Sequence, residues 1–294
     1  MKAADARVLL TGATGGIGQA AAAELVNAGA SLMLVGRSPA RLAAQARALL
    51  RECTAATKPT VEWYAADLTR TASVSGLAEV AAGWGSNVVV HNAGVPGFGR
   101  LESLNATEMA QVLHLNLFMP MLLTQTMLPH LRALPEARIL FVGSVLGRLG
   151  LPGYSVYSAS KFGLRGFAES LRRELGDTRI GVQYLGPRST RTAFNSDAVN
   201  HYNTTTGTAM DEPHVAGRAL LALLESGAPE RFLGFPEKLA VRLNGLVPAW
   251  LDGAFAKHRA SLPGVARPAA LSLDCLPPQD APEADTHSLM HNTP

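Results

Sequence analysis

The chain has 294 residues, a length that fits one large domain or two small ones. Hydrophobic residues make up 47% and charged residues 17%, below the roughly 25% charged share of an ordinary soluble domain, so there is ample apolar surface to bury, which argues against a chain disordered throughout. The net charge of +3, from 26 basic and 23 acidic residues, is too weak to argue for nucleic acid.

The two cysteines, Cys53 and Cys275, are far apart and form no metal-ligand spacing. They give no disulfide framework either, which suits a reducing compartment. The first residues carry Asp5 and Arg7 before a short apolar stretch and do not read as a signal peptide. The most apolar region, around residues 113–134, is interrupted by Asn116, Pro120, Gln125, Pro129 and His130, so no membrane span is expected. These features together predict a soluble cytoplasmic protein.

Short apolar runs at 8–10, 32–35, 61–65, 88–90, 139–142 and 181–185 read as buried strands. Segments with helical spacing, such as 18–28 and 39–51, lie between them. Apolar strands separated by helices predict a parallel sheet covered on both faces, hence a doubly wound, Rossmann-like α/β fold. Residues 195–211, with His201, Tyr202, Asn203 and a Thr-rich run to Thr208, show no periodicity and read as a mobile loop or lid. A helix is expected over 212–226 and a last strand over 231–235. Residues 236–262 follow as a helical extension split at Pro248, with Leu239, Val241, Leu243, Leu246, Val247, Trp250, Leu251 and Phe255 on its apolar face. The expected division is 1–235 as the nucleotide-binding and catalytic domain, 236–262 as the extension, and 263–294 as a disordered tail.

The first strand runs into Thr11-Gly12-Ala13-Thr14-Gly15-Gly16-Ile17-Gly18, and a helix follows. Such a turn lets backbone N–H groups approach a pyrophosphate, with the helix N-terminus adding partial positive charge. The spacing is G-x-x-x-G-x-G rather than the commoner G-x-G-x-x-G, and a lone glycine turn can be purely structural. The second strand ends in Gly36-Arg37-Ser38, without the carboxylate that would hold a ribose 2′-hydroxyl. Arg37 can pair with a 2′-phosphate and Ser38 can donate to it, which points to NADP(H), unless Arg37 is merely solvated.

Tyr157 and Lys161 stand four residues apart and share one face of a helix. A lysine ammonium beside a phenol lowers the phenol's pKa and brings it toward acid–base work near neutrality. Ser144 ends the fifth strand, at the edge where such sheets place ligands. A Y-x-x-x-K pair alone is usually a surface pair. Its weight comes from occurring with the glycine turn and Ser144 in this order.

Over roughly residues 7 to 235 these motifs resemble the short-chain dehydrogenase/reductases. The turn with Gly12, Gly16 and Gly18 is similar to that family's cofactor turn, and Asp67-Leu68 resembles its adenine-contacting pair. His91-Asn92-Ala93-Gly94 is similar to its N-N-A-G element, with His91 in place of the first Asn. The resemblance implies that Ser144, Tyr157 and Lys161 are catalytic: Tyr157 donates the proton, Ser144 polarises the carbonyl, and Lys161 binds the nicotinamide ribose and lowers the phenol pKa. It implies that Asn116, in a long helix, holds a water of the proton relay. It implies cofactor contacts from Thr11, Thr14, Gly15, Ile17, Asn92, Ala93, Gly94, Pro187, Thr190 and Thr192 as well. It also implies dimers or tetramers through the helices carrying Asn116 and Tyr157.

One departure stands out. Arg188 follows Pro187 where the family keeps a glycine. It either reshapes the substrate mouth or contacts a cofactor phosphate or an acidic substrate. Phe98, Leu146, Leu149, Leu151, Tyr154 and Phe194 suggest an apolar pocket for a lipid-like, aromatic or otherwise apolar carbonyl compound. The expected activity is NADPH-dependent interconversion of a carbonyl and an alcohol, acting on a small molecule without a metal. The alternative is a catalytically silent NADP(H)-binding regulator or scaffold. The extension 236–262 packs on the domain, forms a subunit contact or touches a membrane surface, with packing favoured.

Overall fold

A computed structural model describes residues 1–56, 58–235 and 237–264. Seven strands pair in parallel: β1 (Arg7–Thr11), β2 (Ser31–Gly36), β3 (Val61–Ala65), β4 (Val88–His91), β5 (Ala137–Val142), β6 (Ile180–Gly186) and β7 (Glu230–Phe232). Their spatial order is β3-β2-β1-β4-β5-β6-β7. Direction of winding therefore reverses between β1 and β4, and the crevice outside the carboxyl ends of those two strands is where an open α/β sheet takes its ligand. The register sets Thr11 of β1 beside Val35 of β2, and Leu10 beside Val90 of β4.

Strand side chains alternate between the two faces. Val8 and Leu10 join Leu25 of α1 (Gly16–Asn27) and Leu220 and Leu224 of α8 (Pro213–Ser226) in one core layer. Leu9, Val89 and Phe141 face the other layer, with Leu77 of α3 (Ala72–Gly83), Leu123 of α5 (Met119–Arg132) and Leu164 of α6 (Ser155–Glu174). Burial of both faces explains why the strands read as unbroken apolar runs. The two edge strands are the exceptions: Glu62 and Trp63 of β3 and Arg231 of β7 are exposed.

α2 (Pro39–Glu52) starts with Ser38 as its cap, whose hydroxyl oxygen accepts the Arg41 N–H, and with Pro39 in its first turn. α4 (Ala106–Leu113) begins in a reciprocal Asn105–Glu108 capping box. A single π-helical turn, His114–Phe118, joins α4 to α5 and carries Asn116. Inserted π turns are a common mark of functional positions.

The stretch expected as an irregular loop contains a helix, α7 (Asp197–Thr206). Its weak helix formers hide it, but its ends follow the rules: Ser196 caps the Val199 N–H, and Gly207 closes the helix at φ 72°. Val199, Tyr202 and Asn203 are its buried face. Tertiary contact of that face, rather than local propensity, makes it helical.

After β7 the chain forms α9 (Glu237–Leu246), a 3₁₀ segment (Pro248–Phe255) and α10 (Ala256–Ala260), broken at Pro248 as expected. Val241 is buried with Val145, Leu146 and Leu149, while Ala240, Leu251 and Phe255 pack around them. The expected tail lies, from residue 265 onward, outside the described residues, as does Cys275. No described helix is long and apolar enough to cross a membrane.

Candidate active site

The glycine turn follows β1 directly. Gly12 sits at φ 63°, a conformation that costs a side-chain-bearing residue dearly, and a Cβ there would stand 2.8 Å from the Ala93 Cα. Thr11 knits the ends of β1 and β4 together. Its hydroxyl donates to the Val90 carbonyl (3.2 Å) and accepts the N–H groups of Asn92 (3.0 Å) and Ala93 (3.1 Å). The Asn92 amide donates to the carbonyls of Thr11 and Gly12 at 3.1 and 3.0 Å. From α2, Arg41 and Gln45 donate to the Thr14 and Ala13 carbonyls, both at 3.0 Å. Two of the turn's own N–H groups are also engaged: Ala13 donates to the Val35 carbonyl at 3.0 Å and Gly15 to the Gly12 carbonyl at 3.1 Å. Gly15 is exposed, a Cβ there meets only the Gly12 oxygen at 3.4 Å, and no side chain caps the first N–H groups of α1. Ile17 beside it packs on the core. An uncapped helix N-terminus behind an open glycine turn fits a dinucleotide pyrophosphate. Arg41 and Gln45 escaped the sequence reading because the spacing from α2 to a turn carbonyl is set only by packing.

At the far end of the crevice Arg37 is exposed just beyond β2. Ser38 caps α2, which uses its oxygen but leaves its hydroxyl proton free to donate. Asp67 accepts the Thr69 N–H (3.0 Å) and hydroxyl (2.8 Å), and these bonds, with the charges of Arg37 and Arg70, hold its carboxyl below the usual range. Leu68 packs against the second core layer.

Ser144, Tyr157 and Lys161 come from two elements. Ser144 leaves β5 fully extended, and its oxygen accepts the Leu146 N–H at 3.1 Å. Tyr157 and Lys161 share a face of α6, with the Lys161 ammonium 5.7 Å from the Tyr157 ring centroid. Lys161 is 5% exposed and donates to the Val142 carbonyl at 3.3 Å. Burial pushes its pKa down to about 8, so its charge is lost as pH rises through that value. Burial pushes the Tyr157 phenol well above its ordinary range, while a hydrogen bond with the Ser144 hydroxyl pulls it the other way. In the protein chain alone burial is the largest influence on the phenol, with Tyr184 and Tyr154 also raising it.

Asn116 is wholly buried. Its carbonyl accepts the Val95 N–H (2.8 Å), and its amide donates to the Val95 carbonyl (2.9 Å) and the Ser160 hydroxyl (3.3 Å). Ser160 in turn donates to the Tyr157 carbonyl at 2.7 Å. Gly94 lets these parts meet: a Cβ there would stand 3.0 Å from the Asn116 carbonyl oxygen and 3.9 Å from the Lys161 nitrogen.

The loop after β6 divides the remaining residues. Pro187 is buried and its carbonyl accepts the Val145 N–H at 2.9 Å. Thr192 lies against Gly16, so it faces the glycine turn. Thr190 does not join it: its hydroxyl donates to the Arg188 carbonyl (3.0 Å), and its backbone bridges to Asp211. Arg188 is engaged by carboxylates of its own chain. It pairs with Asp211 (2.6 Å) and Glu237 (3.4 Å), tying the β6 exit to the end of the α7 segment and the start of α9.

Apolar side chains surround the tyrosine. Tyr154 and Phe194 have their ring centroids 6.2 Å from that of Tyr157. Phe98 packs between Tyr154 and Tyr202, at 4.9 and 5.1 Å. Leu146 and Leu149, expected in the pocket, belong to the buried cluster beneath, with Leu151 against it. The extension roofs this side. Tyr202 is hydrogen-bonded to His258 at 2.7 Å, Leu262 lies over Gly153 and Phe98, and Arg100 donates to the Pro263 carbonyl at 3.0 Å. Among the described residues no three His, Cys, Asp or Glu side chains gather as a metal site.

A doubly wound sheet with an open glycine turn at its switch point and a Ser-Tyr-Lys group beside it defines a nucleotide-dependent oxidoreductase. Residues 6–203 match the family model described as short chain dehydrogenase. The chain is 30% identical over 255 residues to a dehydrogenase/reductase SDR family member 7B of Danio rerio, covering 83% of this chain and 82% of that one. Among solved structures it is similar to a short-chain dehydrogenase from Sphingobium yanoikuyae in complex with NADPH (TM-score 0.71, 26% identity, 85% of this chain and 95% of that one). It is also similar to an alcohol dehydrogenase from Thermococcus sibiricus complexed with 5-hydroxy-NADP (TM-score 0.66, 25% identity, 78% and 95%). The chain belongs to the short-chain dehydrogenase/reductase family, and so to NAD(P)-dependent oxidoreductases of carbonyl and alcohol groups.

Proposed function

We propose that this protein is an NADPH-dependent reductase of an apolar ketone or aldehyde, working from the C-terminal edge of the sheet. The observation that carries the reading is the convergence of Ser144, Tyr157 and Lys161 beside an open glycine turn. When bound, the nicotinamide nucleotide supplies the hydride. Tyr157 gives the proton to the carbonyl oxygen; a phenol held above its ordinary range stays protonated at neutral pH, which suits a donor and favours reduction. The Ser144 hydroxyl, whose oxygen already accepts from Leu146, donates its own proton toward the same oxygen. Lys161 places an ammonium behind the phenol that stabilises negative charge as the proton leaves. Asn116 spends its side chain on Val95 and Ser160, so a water of the proton relay falls to its main-chain carbonyl.

Preference for NADPH rests on Arg37 at the end of β2, a strand that does not itself end in a carboxylate, and on the NADPH held by the Sphingobium yanoikuyae relative. Arg37→Asp should raise KM for NADPH about 10- to 100-fold, the worth of a charge-assisted hydrogen bond, and leave NADH turnover unharmed. Equal losses with both nucleotides would refute that assignment. For the reaction itself, nicotinamide absorbance is followed with NADPH and a panel of apolar ketones and aldehydes, wild type beside Tyr157→Phe. Turnover that vanishes in the variant, with NADPH binding retained, supports the reading. Undiminished turnover in the variant overturns the proton donor, and tight NADPH binding without turnover of any panel member moves the silent-regulator reading to the front.

A further inference from the structure

Tyr184 lies in the middle of β6, is 1% exposed, and has no part in the mechanism above. A buried tyrosine differs from phenylalanine only by a hydroxyl that must be satisfied, so its partners say what it is for. Both are the backbone of one residue: the Tyr184 oxygen accepts the Ser144 N–H at 3.1 Å and donates to the Ser144 carbonyl at 3.0 Å. The chain is built around this clamp. Ser144 falls between the last two bonds that join its strand to the next, Gly143 N–H to Leu185 (2.7 Å) and Val145 N–H to Pro187 (2.9 Å). Its own polar groups lack a ladder partner there, and the phenol supplies one. Gly143 and Gly147 bracket Ser144, and a Cβ on either would fall on the Tyr184 phenol. Two absent side chains thus make room for one hydroxyl. The Ser144 carbonyl also takes the Gly147 N–H at 3.0 Å, which closes the turn over the phenol.

We propose that Tyr184 is a positioning residue for the reduction, fixing the backbone of Ser144 on both sides so that its hydroxyl is held toward the substrate oxygen. This rests on the reading of Ser144 as a donor to that oxygen. The geometry matters because a hydroxyl at a strand end swings with its backbone, and small misplacements of a reacting group are costly in rate.

The test is a double-mutant cycle on the full chain with NADPH and the best ketone of the panel. Tyr184→Phe should lower kcat about 10- to 100-fold and leave KM for NADPH unchanged. Adding Tyr184→Phe to Ser144→Ala should cost nothing further, because the residue acts only through Ser144. 4-Fluorophenylalanine at position 184 fills the hydroxyl's volume without its hydrogen bonds and should behave like the Phe variant; it carries the test if that variant does not fold. 4-Aminophenylalanine, which restores a donor and an acceptor, should recover most of the rate. Unchanged kcat in Tyr184→Phe, or losses that multiply in the double variant, would overturn the proposal. Tyr157→Phe serves as the control: if it too leaves turnover unchanged, the reading of the active site has failed rather than the role of Tyr184.

Discussion

His91 stands where the family's N-N-A-G element begins with Asn, and its surroundings decide its chemistry. It is 3% exposed, its ring stacks on Phe141 with centroids 4.8 Å apart, and its Nε2 meets the Thr124 hydroxyl at 2.9 Å. Burial without a charged partner pushes its pKa down to about 3. The unfolded chain therefore takes up a proton below about pH 6.5 that the folded chain refuses, and stability drains as pH falls from there toward 3. At about pH 5 the loss is on the order of 2 kcal/mol. His91→Asn should flatten this acid limb, read as urea midpoints at neutral and at mildly acid pH. Equal acid sensitivity in the variant would show that another group sets it. The same scale separates Tyr157 from Lys161. Their spacing was legible in the sequence, but the direction of the phenol's pKa was not, because it depends on how much water the folded site excludes.

Arg188 shows what an element-level contact does to a residue that invites a functional reading. Its guanidinium is only 18% exposed on its side chain and holds carboxylates from the segment after α7 and from α9. Asp211 comes first among the causes that raise its pKa. Removing the guanidinium leaves two carboxylates facing each other across a half-buried gap. Arg188→Met should cost about 1–3 kcal/mol, seen as a lower denaturant midpoint, with KM for the carbonyl rising because α7 loses its anchor. A variant with unchanged stability and a raised KM for NADPH would instead return Arg188 to a nucleotide contact. α7 itself was partly readable. Ser196, Asp197 and Gly207 are proper end signals, yet four threonines between Asn203 and Ala209 weigh against a helix until Val199 and Tyr202 find a core.

At the scale of the whole molecule the extension decides how the site meets solvent. Val241, Leu251 and Phe255 cover the cluster of Val145, Leu146 and Leu149, which lies directly behind Ser144. Leu262 and the Tyr202–His258 bond then close the side of the pocket away from the sheet. These contacts seat part of the extension on the domain. Deleting residues 236–294 should uncover that cluster and give aggregates in size-exclusion chromatography. A monodisperse truncated protein with retained turnover would show that the extension serves something outside this chain. The exposed Phe118 and Phe162, at 46% and 42%, lie on the helices from which the resemblance implies subunit contacts.

The sequence by itself determined the parallel sheet, the place of the glycine turn and the Ser-Tyr-Lys group. Each of these is written locally, as apolar runs, as a backbone that only glycine permits, and as two residues one helical turn apart. Only the tertiary structure decided that Arg188 pairs with Asp211 and Glu237, that Thr192 lies against Gly16 while Thr190 bonds elsewhere, that residues 197–206 are helical, and that the Tyr184 phenol grips Ser144. The reason is physical. Most of those features depend on distant partners, 14 residues away for Asn203 to Ser189, 49 for Arg188 to Glu237 and 56 for Tyr202 to His258, and no periodicity in the chain encodes which distant carbonyl or carboxylate packing will bring into reach.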